Sequence, residues 1–138
     1  MTTNVKQIEY FISEISRLNL DDNNLISRFS IEEMSKNWNG VGGAKESKFA
    51  RKIFSWLGRN YLPAFFIHDL EFTVGGSKEQ FHQANKRLCK NLKIIVSDLY
   101  TKWDIRYYIR QPICHFVAWL CDKFGFENWM TFRGWNLH

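Results

Sequence analysis

Residues 62–99 carry the sequence LPAFFIHDLEFTVGGSKEQFHQANKRLCKNLKIIVSDL, which predicts two helices joined by a short turn. Pro63 suits the first turn of the first helix, because the first N–H groups of a helix have no partner within it. The glycines of Val74-Gly75-Gly76 predict the end of that helix. Ser77 and Gln80 have the spacing of a capping box and predict the start of the second helix. This second helix is the longest element that we predict.

The segments before this pair also predict helices. Between residues 5 and 18, apolar residues recur at three- and four-residue steps, as in an amphipathic helix. The turn Asn19-Leu20-Asp21-Asp22-Asn23 supplies helix-capping side chains ahead of a second helix. Ser30 and Glu33 have capping-box spacing if that helix restarts there. A third helical pattern spans residues 49–57.

The last third of the chain is less regular. Residues 103–109 fit either a continued helix or a short strand. Pro112 predicts the start of a final helix that runs to about Phe124, with Gly125 as its cap. We find no internal repeat, low-complexity tract or Pro/Ser-rich linker, so we expect a single all-α domain of five or six helices.

The composition narrows the class of protein. A chain of 138 residues with 45% hydrophobic residues can fill one ordinary core, which excludes disorder as the main state. No apolar run approaches the roughly 18 to 20 residues that cross a bilayer, and the N-terminus has no signal-peptide pattern. We therefore expect a cytoplasmic protein. The net charge of +5 favours anionic partners, but no base-reading motif is present, so nucleic acid is not an expected partner.

The chain lacks the residues that several classes of enzyme need for catalysis. The three cysteines form neither a disulfide scaffold nor a zinc-binding spacing, and we expect buried thiols. Cys114 and His115 are adjacent on a helix and diverge, which argues against a cysteine nucleophile. A metal-dependent phosphohydrolase of the His-Asp class needs another histidine upstream, and none precedes His68.

His68 and Asp69 lie in an apolar run that we expect to be buried, and a buried ionisable pair needs a reason. Adjacent helical residues point about 100° apart, so one of the two can act as a general base while the other holds a cation. The loop at Gly40, Gly42 and Gly43 can bring backbone carbonyls close to a ligand, and Ca²⁺ accepts carbonyls alongside a carboxylate.

The residues Trp38-Asn39-Gly40-Val41-Gly42-Gly43, His68-Asp69-Leu70-Glu71-Phe72, Gly75-Gly76-Ser77 and Ala84-Asn85 occur in this order. Over roughly residues 37–95, the chain resembles the phospholipase A2 superfamily, particularly its shorter bacterial and phage-encoded members. The resemblance implies a calcium ion bound by the Asp69 carboxylate and by carbonyls from about Trp38, Gly40 and Gly42. It also implies that His68 activates a water molecule to attack the sn-2 ester while the metal stabilises the oxyanion.

Two positions depart from the family pattern. The family has Tyr where Phe72 stands and Asp where Asn85 stands, the latter to orient the imidazole as second member of the catalytic dyad. A neutral amide can accept a hydrogen bond from the imidazole but cannot stabilise an imidazolium as a carboxylate does. Asp98 lies on the same helix but about 20 Å further along it, so it can substitute only in a different arrangement.

Simpler interpretations remain beside this one. His68 can be satisfied by a backbone carbonyl, Asp69 can cap a neighbouring helix, and the glycine loop can be an ordinary turn. The basic side chains of the long helix are typical of a solvated face or of a phosphate-binding one. The aromatic residues after position 123 can pack in a core or contact a membrane surface.

We expect a single domain that consists of three parts. Residues 1–36 are an N-terminal helical extension, residues 37–100 a phospholipase A2-like core with a central antiparallel helix pair, and residues 101–138 a C-terminal helix and aromatic tail. The expected function is a calcium-dependent lipid ester hydrolase with His68 and Asn85 in the catalytic site and a phospholipid or anionic surface as partner. The alternative is a weakened or inactive scaffold that binds a protein or an anionic surface.

Overall fold

The computed structural model describes residues 2–38 and 56–124, and this part of the chain is mostly helical and contains no strand. Five α-helices and two short 3-10 helices follow one another there. The α-helices are α1 (Thr2–Leu18), α2 (Ile31–Asn37), α3 (Leu62–Val74), α4 (Lys78–Leu99) and α5 (Ile105–Phe124), and the 3-10 helices are Asn23–Arg28 and Arg59–Tyr61.

Both predicted capping boxes are present. The backbone N–H of Glu33 donates to Ser30 Oγ at 3.1 Å, and the backbone N–H of Gln80 donates to Ser77 Oγ at 3.2 Å. The reciprocal bonds to the Glu33 and Gln80 side chains are also made. Gly75 ends α3 with φ at 70°, a conformation that side-chain-bearing residues rarely adopt. Polar pairing at the N-termini and a glycine at the C-terminus therefore fix the turn between α3 and α4.

The structure decides two places that the sequence left open and corrects a third. The second helix does restart at Ser30, and the residues before it form a separate 3-10 helix. Residues 103–109 form no strand, because the Asp104 carboxylate accepts the backbone N–H of Arg106 and starts α5 at Ile105. Pro112, predicted to start the final helix, lies inside α5 on its exposed side. The predicted helix over residues 49–57 lies mostly outside the described residues, as do Gly125 and the aromatic tail.

The described helices share one main hydrophobic core. α4 packs between α3 and α5, antiparallel to both, and α1 packs against α3. The first helix contributes Ile8, Phe11 and Ile15 to this core, each at most 1% exposed. Phe11 and Phe66 pack with ring centroids 5.1 Å apart, which joins α1 to the helix that carries His68. No described helix is long and apolar enough to cross a membrane.

Candidate functional site

His68 on α3 and Asn85 on α4 meet between the two antiparallel helices. The His68 Nε2 atom lies 2.8 Å from the Asn85 Oδ1 atom. Further towards the turn, the rings of Phe72 and Phe81 pack 5.8 Å apart and hold the two helices in this register. The structure therefore brings together the two residues predicted from sequence to form the catalytic pair.

Asn85 also contacts a carboxylate from a third helix. Its Nδ2 atom donates to the Oδ1 atom of Asp122, which lies on α5, at 3.1 Å. Asn85 is 2% exposed, so both ends of its amide are paired within the protein. The sequence did not predict this contact, because Asp122 lies 37 residues after Asn85 and outside the region that resembles the superfamily. Asp98, the carboxylate considered from sequence, pairs instead with Arg17 at 2.9 Å.

The contact between Asn85 and Asp122 determines which ring nitrogen of His68 carries the proton. An ionised carboxylate only accepts hydrogen bonds, so the NH₂ group of Asn85 must face Asp122. The carbonyl oxygen of Asn85 then faces His68 and can only accept, which requires the proton of the neutral imidazole to be on Nε2. The lone pair of His68 is consequently on Nδ1, the nitrogen that points away from Asn85.

The surroundings of His68 keep its imidazole neutral. Burial lowers the pKa of His68 to about 4, although the hydrogen bond to Asn85 acts in the opposite direction. The ring retains some exposed area but packs closely against Phe72, whose centroid lies 4.5 Å away. Phe72 has no hydroxyl group, so it adds no hydrogen bond at the position where the superfamily resembled by the sequence has a tyrosine.

A second histidine lies at the outer end of this network. His82 Nδ1 hydrogen-bonds to Asp122 Oδ1, the oxygen that also accepts from Asn85. Burial acts to raise the pKa of Asp122, but the hydrogen bonds from His82 and Asn85 outweigh it and lower this pKa below the ordinary value. The continuous network is His68–Asn85–Asp122–His82. We call these four residues the amide-linked network.

Glu71 and Arg87 form a separate polar pair between α3 and α4. Arg87 donates to Glu71 Oε2 from Nη2 at 2.6 Å and from Nε at 2.9 Å. The Glu71 side chain is 4% exposed, and its Oε1 has no hydrogen-bond partner among the described residues. Burial raises the pKa of Glu71 to about 7, against the opposing effect of Arg87. Arg87 is therefore turned inward, away from the solvated basic face predicted for it.

The metal ligands implied by the resemblance lie only partly within the described residues. Asp69 is half-buried on α3, and Trp38 is a buried core residue directly after α2. Gly40 and Gly42 lie outside the described residues. Within residues 2–38 and 56–124, no group of three His, Cys, Asp or Glu side chains is placed to hold a metal ion. A calcium site here would need backbone oxygens.

Two observations are compatible with such a site. Trp38 has extended backbone angles, so its carbonyl leaves the helical direction of α2. Its indole packs on Phe66, with centroids 5.6 Å apart, and Asp69 lies one turn further along that helix. The chain that leads into the glycine loop therefore starts beside the helix that carries Asp69, and a carboxylate with carbonyls is a donor set that suits Ca²⁺.

A cysteine–histidine contact offers a different chemistry. Cys89 Sγ lies 3.5 Å from His115 Nδ1 across α4 and α5. His115 is exposed, and Cys89 rather than the adjacent Cys114 is its sulfur partner. Burial raises the pKa of the Cys89 thiol, which disfavours the thiolate that nucleophilic catalysis needs.

The site can therefore orient a neutral imidazole and leave one ring nitrogen ready to accept a proton. Comparison with known proteins adds no assignment to this geometry: no protein-family model, curated protein or solved structure matches the chain.

Proposed function

We propose that this protein is a calcium-dependent lipid ester hydrolase of the phospholipase A2 type, with His68 as its general base. The observation that carries the proposal is the hydrogen bond from His68 Nε2 to Asn85, which leaves Nδ1 as the basic nitrogen. A base oriented by a buried partner is the arrangement that water activation requires. The resemblance of the sequence to the phospholipase A2 superfamily implies the ester of a phospholipid as the substrate.

The chain's own residues account for the movement of the proton. His68 Nδ1 accepts a proton from water as that water attacks the ester carbonyl, and the imidazole becomes an imidazolium. The imidazolium then returns this proton to the alkoxide oxygen of the leaving group as the ester C–O bond breaks, which releases the fatty acid and restores the neutral imidazole. Asn85 holds the ring in place through Nε2, and Asp122 holds Asn85. Asp69 and the carbonyls of Trp38, Gly40 and Gly42 would hold the calcium ion. A calcium ion bound there would supply Lewis-acid stabilisation of the oxyanion.

Asp122 partly compensates for the missing carboxylate at position 85. Its negative charge is one side chain further from the imidazole than a directly bonded aspartate would be. The charge still acts through a chain of polarised hydrogen bonds in a partly buried site, where screening is weaker than in water. We therefore expect slower hydrolysis than a direct His-Asp dyad would give.

One observation favours the second candidate function, a weakened scaffold that binds a partner. A pKa of about 4 makes His68 a poor base near neutral pH, because an effective catalytic base has a pKa near the working pH. The Phe72 ring contributes to this apolar environment. The two candidates thus differ in whether substrate and metal raise the basicity of His68 enough for turnover.

The direct test is fatty-acid release from phospholipid vesicles in Ca²⁺ and in EDTA. We expect calcium-dependent release that falls about 100-fold or more in His68→Gln, since a positioned base contributes roughly 10² to 10⁴ in rate. In Asp69→Asn the calcium-dependent release of fatty acid should be lost. Glu9→Gln is the matched control, because Glu9 is an exposed carboxylate on α1, away from these residues.

Thermal unfolding with Ca²⁺, and with Mg²⁺ for comparison, tests the metal separately from turnover. A ligand that binds only the folded state must raise the melting temperature, and Asp69→Ala should remove that rise. A calcium-specific shift without hydrolysis would support the binding scaffold. Absence of both the shift and hydrolysis would contradict the proposed enzyme.

A further inference from the structure

The helix α5 presents large apolar side chains to solvent as well as to the core. Trp103, just before the helix, is 97% exposed and Ile105 is 72% exposed. Further exposed side chains follow along the helix. The set, which we call the α5 stripe, is Trp103, Ile105, Tyr108, Ile109, Phe116 and Trp119.

The helical members of the α5 stripe share one side of the helix. At 100° per residue, the positions from Ile105 to Trp119 fall within an arc of about 100°. The buried residues Cys114 and Val117 lie on the opposite side, towards α4. Fourteen residues at 1.5 Å each make this stripe about 21 Å long. A continuous exposed apolar patch of this kind marks an interaction surface.

The surroundings of the α5 stripe are basic. A cleft of about 1060 Å³ lies between α4 and α5, with Lys86, Lys90 and Lys93 on one wall and Trp119 on the other. Lys123 also lies near the stripe, with Nζ 5.8 Å from the ring centroid of Trp119.

The acidic side chains near this surface are ion-paired or hydrogen-bonded, or lie at its margin. Asp104 pairs with Arg106, and Asp122 hydrogen-bonds to His82. Glu79 stands at one end of the cleft, and Lys90 makes one ion pair, with Asp21 at 3.3 Å. The positive charge of this side therefore exceeds the negative charge.

We propose that the α5 stripe and the lysine-lined cleft dock on an anionic phospholipid bilayer. Tryptophan and tyrosine suit the boundary between headgroups and acyl chains, because each has an apolar body and a polar tip. Lysines beside them can contact lipid phosphates. A second copy of the chain fits less well, because pairing through the stripe would bring two basic flanks together on proteins that each carry +5.

This docking goes beyond the proposed hydrolysis, since binding requires neither His68 nor Asp69. The test is co-sedimentation of the full-length protein in EDTA with vesicles of phosphatidylglycerol and phosphatidylcholine in equal parts. Vesicles of phosphatidylcholine alone are the comparison. We expect binding to the anionic vesicles that weakens as salt is added, together with a blue shift of tryptophan fluorescence.

Two variants separate the apolar and the basic contributions. Trp103→Ser/Ile105→Ser should weaken binding about tenfold or more, since each removes a side chain that would leave water. Ile31→Ser/Val74→Ser is its control, because these exposed apolar residues lie on α2 and α3. Lys86→Glu/Lys93→Glu should remove the preference for anionic vesicles. Lys6→Glu/Lys36→Glu has the same charge change on exposed positions of α1 and α2 and should not.

Three results would overturn the proposal. One is equal binding by the stripe variant and its control. Another is equal binding to anionic and neutral vesicles. The third is a concentration-dependent dimer, seen by light scattering, that the stripe variant breaks, because the stripe would then be an interface between two copies. Loss of hydrolysis in His68→Gln with vesicle binding retained would leave the docking proposal standing whatever the fate of the proposed enzyme.

Discussion

Two polar pairs connect α3 to α4, one turn apart on α3, and they solve the problem of burial in different ways. His68 and Asn85 are both neutral, and the only charge in their network lies on Asp122, whose side chain is 42% exposed. Glu71 and Arg87 place both charges in the interface, with the glutamate side chain 4% exposed. The first pair keeps its charge near solvent, whereas the second buries its negative charge and pairs it.

The difference separates two tasks. A buried ion pair is costly to break, because removal of one partner leaves the other charge without compensation. Glu71 and Arg87 therefore lock the helices together and tie them to the 3-10 segment through Asp22, whose Oδ2 lies 3.7 Å from Arg87 Nε. Glu71 and Arg87 therefore hold the helices together, whereas His68 can gain or lose a proton without breaking an ion pair.

Removal of Glu71 should have the largest effect on stability. In Glu71→Ala the partly exposed guanidinium of Arg87 loses its main hydrogen-bond acceptor but keeps Asp22 nearby, and we expect a loss of about 3 kcal/mol in the free energy of unfolding. His68→Gln should cost much less, because it breaks no ion pair. Urea unfolding of both variants measures the difference. Glu71→Leu/Arg87→Met should recover most of the loss, and equal losses for Glu71→Ala and His68→Gln would contradict the comparison.

The pH dependence should follow next in size. The pKa of His68 is about 4 in the folded protein and near 6.5 in the unfolded chain, so the unfolded chain binds the proton more readily. Stability from this group is complete above pH 6.5 and declines as the pH falls towards 4, by up to about 3 kcal/mol. In the wild type the opposite contribution of Glu71 offsets most of this decline, so stability should change little between pH 4 and pH 7, whereas His68→Gln should become more stable as the pH falls over this range.

Glu71 should contribute a pH dependence of the opposite sign. Its pKa is raised to about 7, so its contribution is complete below about 4.5 and declines as the pH rises through 7. Glu71→Gln in the same measurement isolates it. A decline in acid in His68→Gln would show that another group is responsible.

Exchange of amide and carboxylate within the network should have an intermediate effect. Asn85→Asp alone places a second carboxylate against Asp122, where Nδ2 now donates at 3.1 Å, and should cost about 1 to 2 kcal/mol. Asn85→Asp/Asp122→Asn restores a donor facing an acceptor and sets a carboxylate directly on His68. The double variant should regain the stability and raise the pKa of His68 in an NMR titration. If the single variant is as stable as the wild type, the amide does not link the two groups as described.

Asp122→Asn should have the smallest effect on stability, about 1 kcal/mol, because both of its partners lie near solvent or keep another hydrogen bond. Its informative readout is the imidazole of His68. Without an obligate acceptor at position 122, Asn85 can turn either end of its amide towards Nε2. The ¹⁵N spectrum should then show a mixture of tautomers, whereas Lys86→Gln, one residue from Asn85 on the exposed side of α4, should show the wild-type tautomer.

Local sequence signals predicted the central part of the fold well. Ser77 with Gln80 and the glycine at position 75 set the ends of α3 and α4, and these ends fix the register that brings His68 opposite Asn85. Such signals act over a few residues and need no knowledge of the rest of the chain. The all-α class followed from the same periodicities.

Long-range contacts were beyond the sequence. Asp122 joins the network only because α5 packs antiparallel on α4, and no spacing rule relates residues 85 and 122. The basic steps along α4 did not reveal that Arg87 turns inward, because that depends on Glu71 across the interface. Pro112 suggested a helix start, yet the Asp104 cap starts α5 at Ile105, seven residues earlier. In the first two cases a tertiary contact completed a local preference, and in the third a nearby capping side chain overrode the signal from the proline.

The position of Asp122 in the last turn of α5 has a consequence for motion. Helix ends open more easily than helix centres, because their final carbonyls lack partners and fewer contacts hold them. Each local opening of that turn would release Asn85 and free the His68 ring to rotate. Amide hydrogen exchange at residues 119–123 would therefore measure how often the His68 imidazole loses its hydrogen-bonded orientation, and the lifetime of that helical turn would set an upper limit on how long the ring stays oriented.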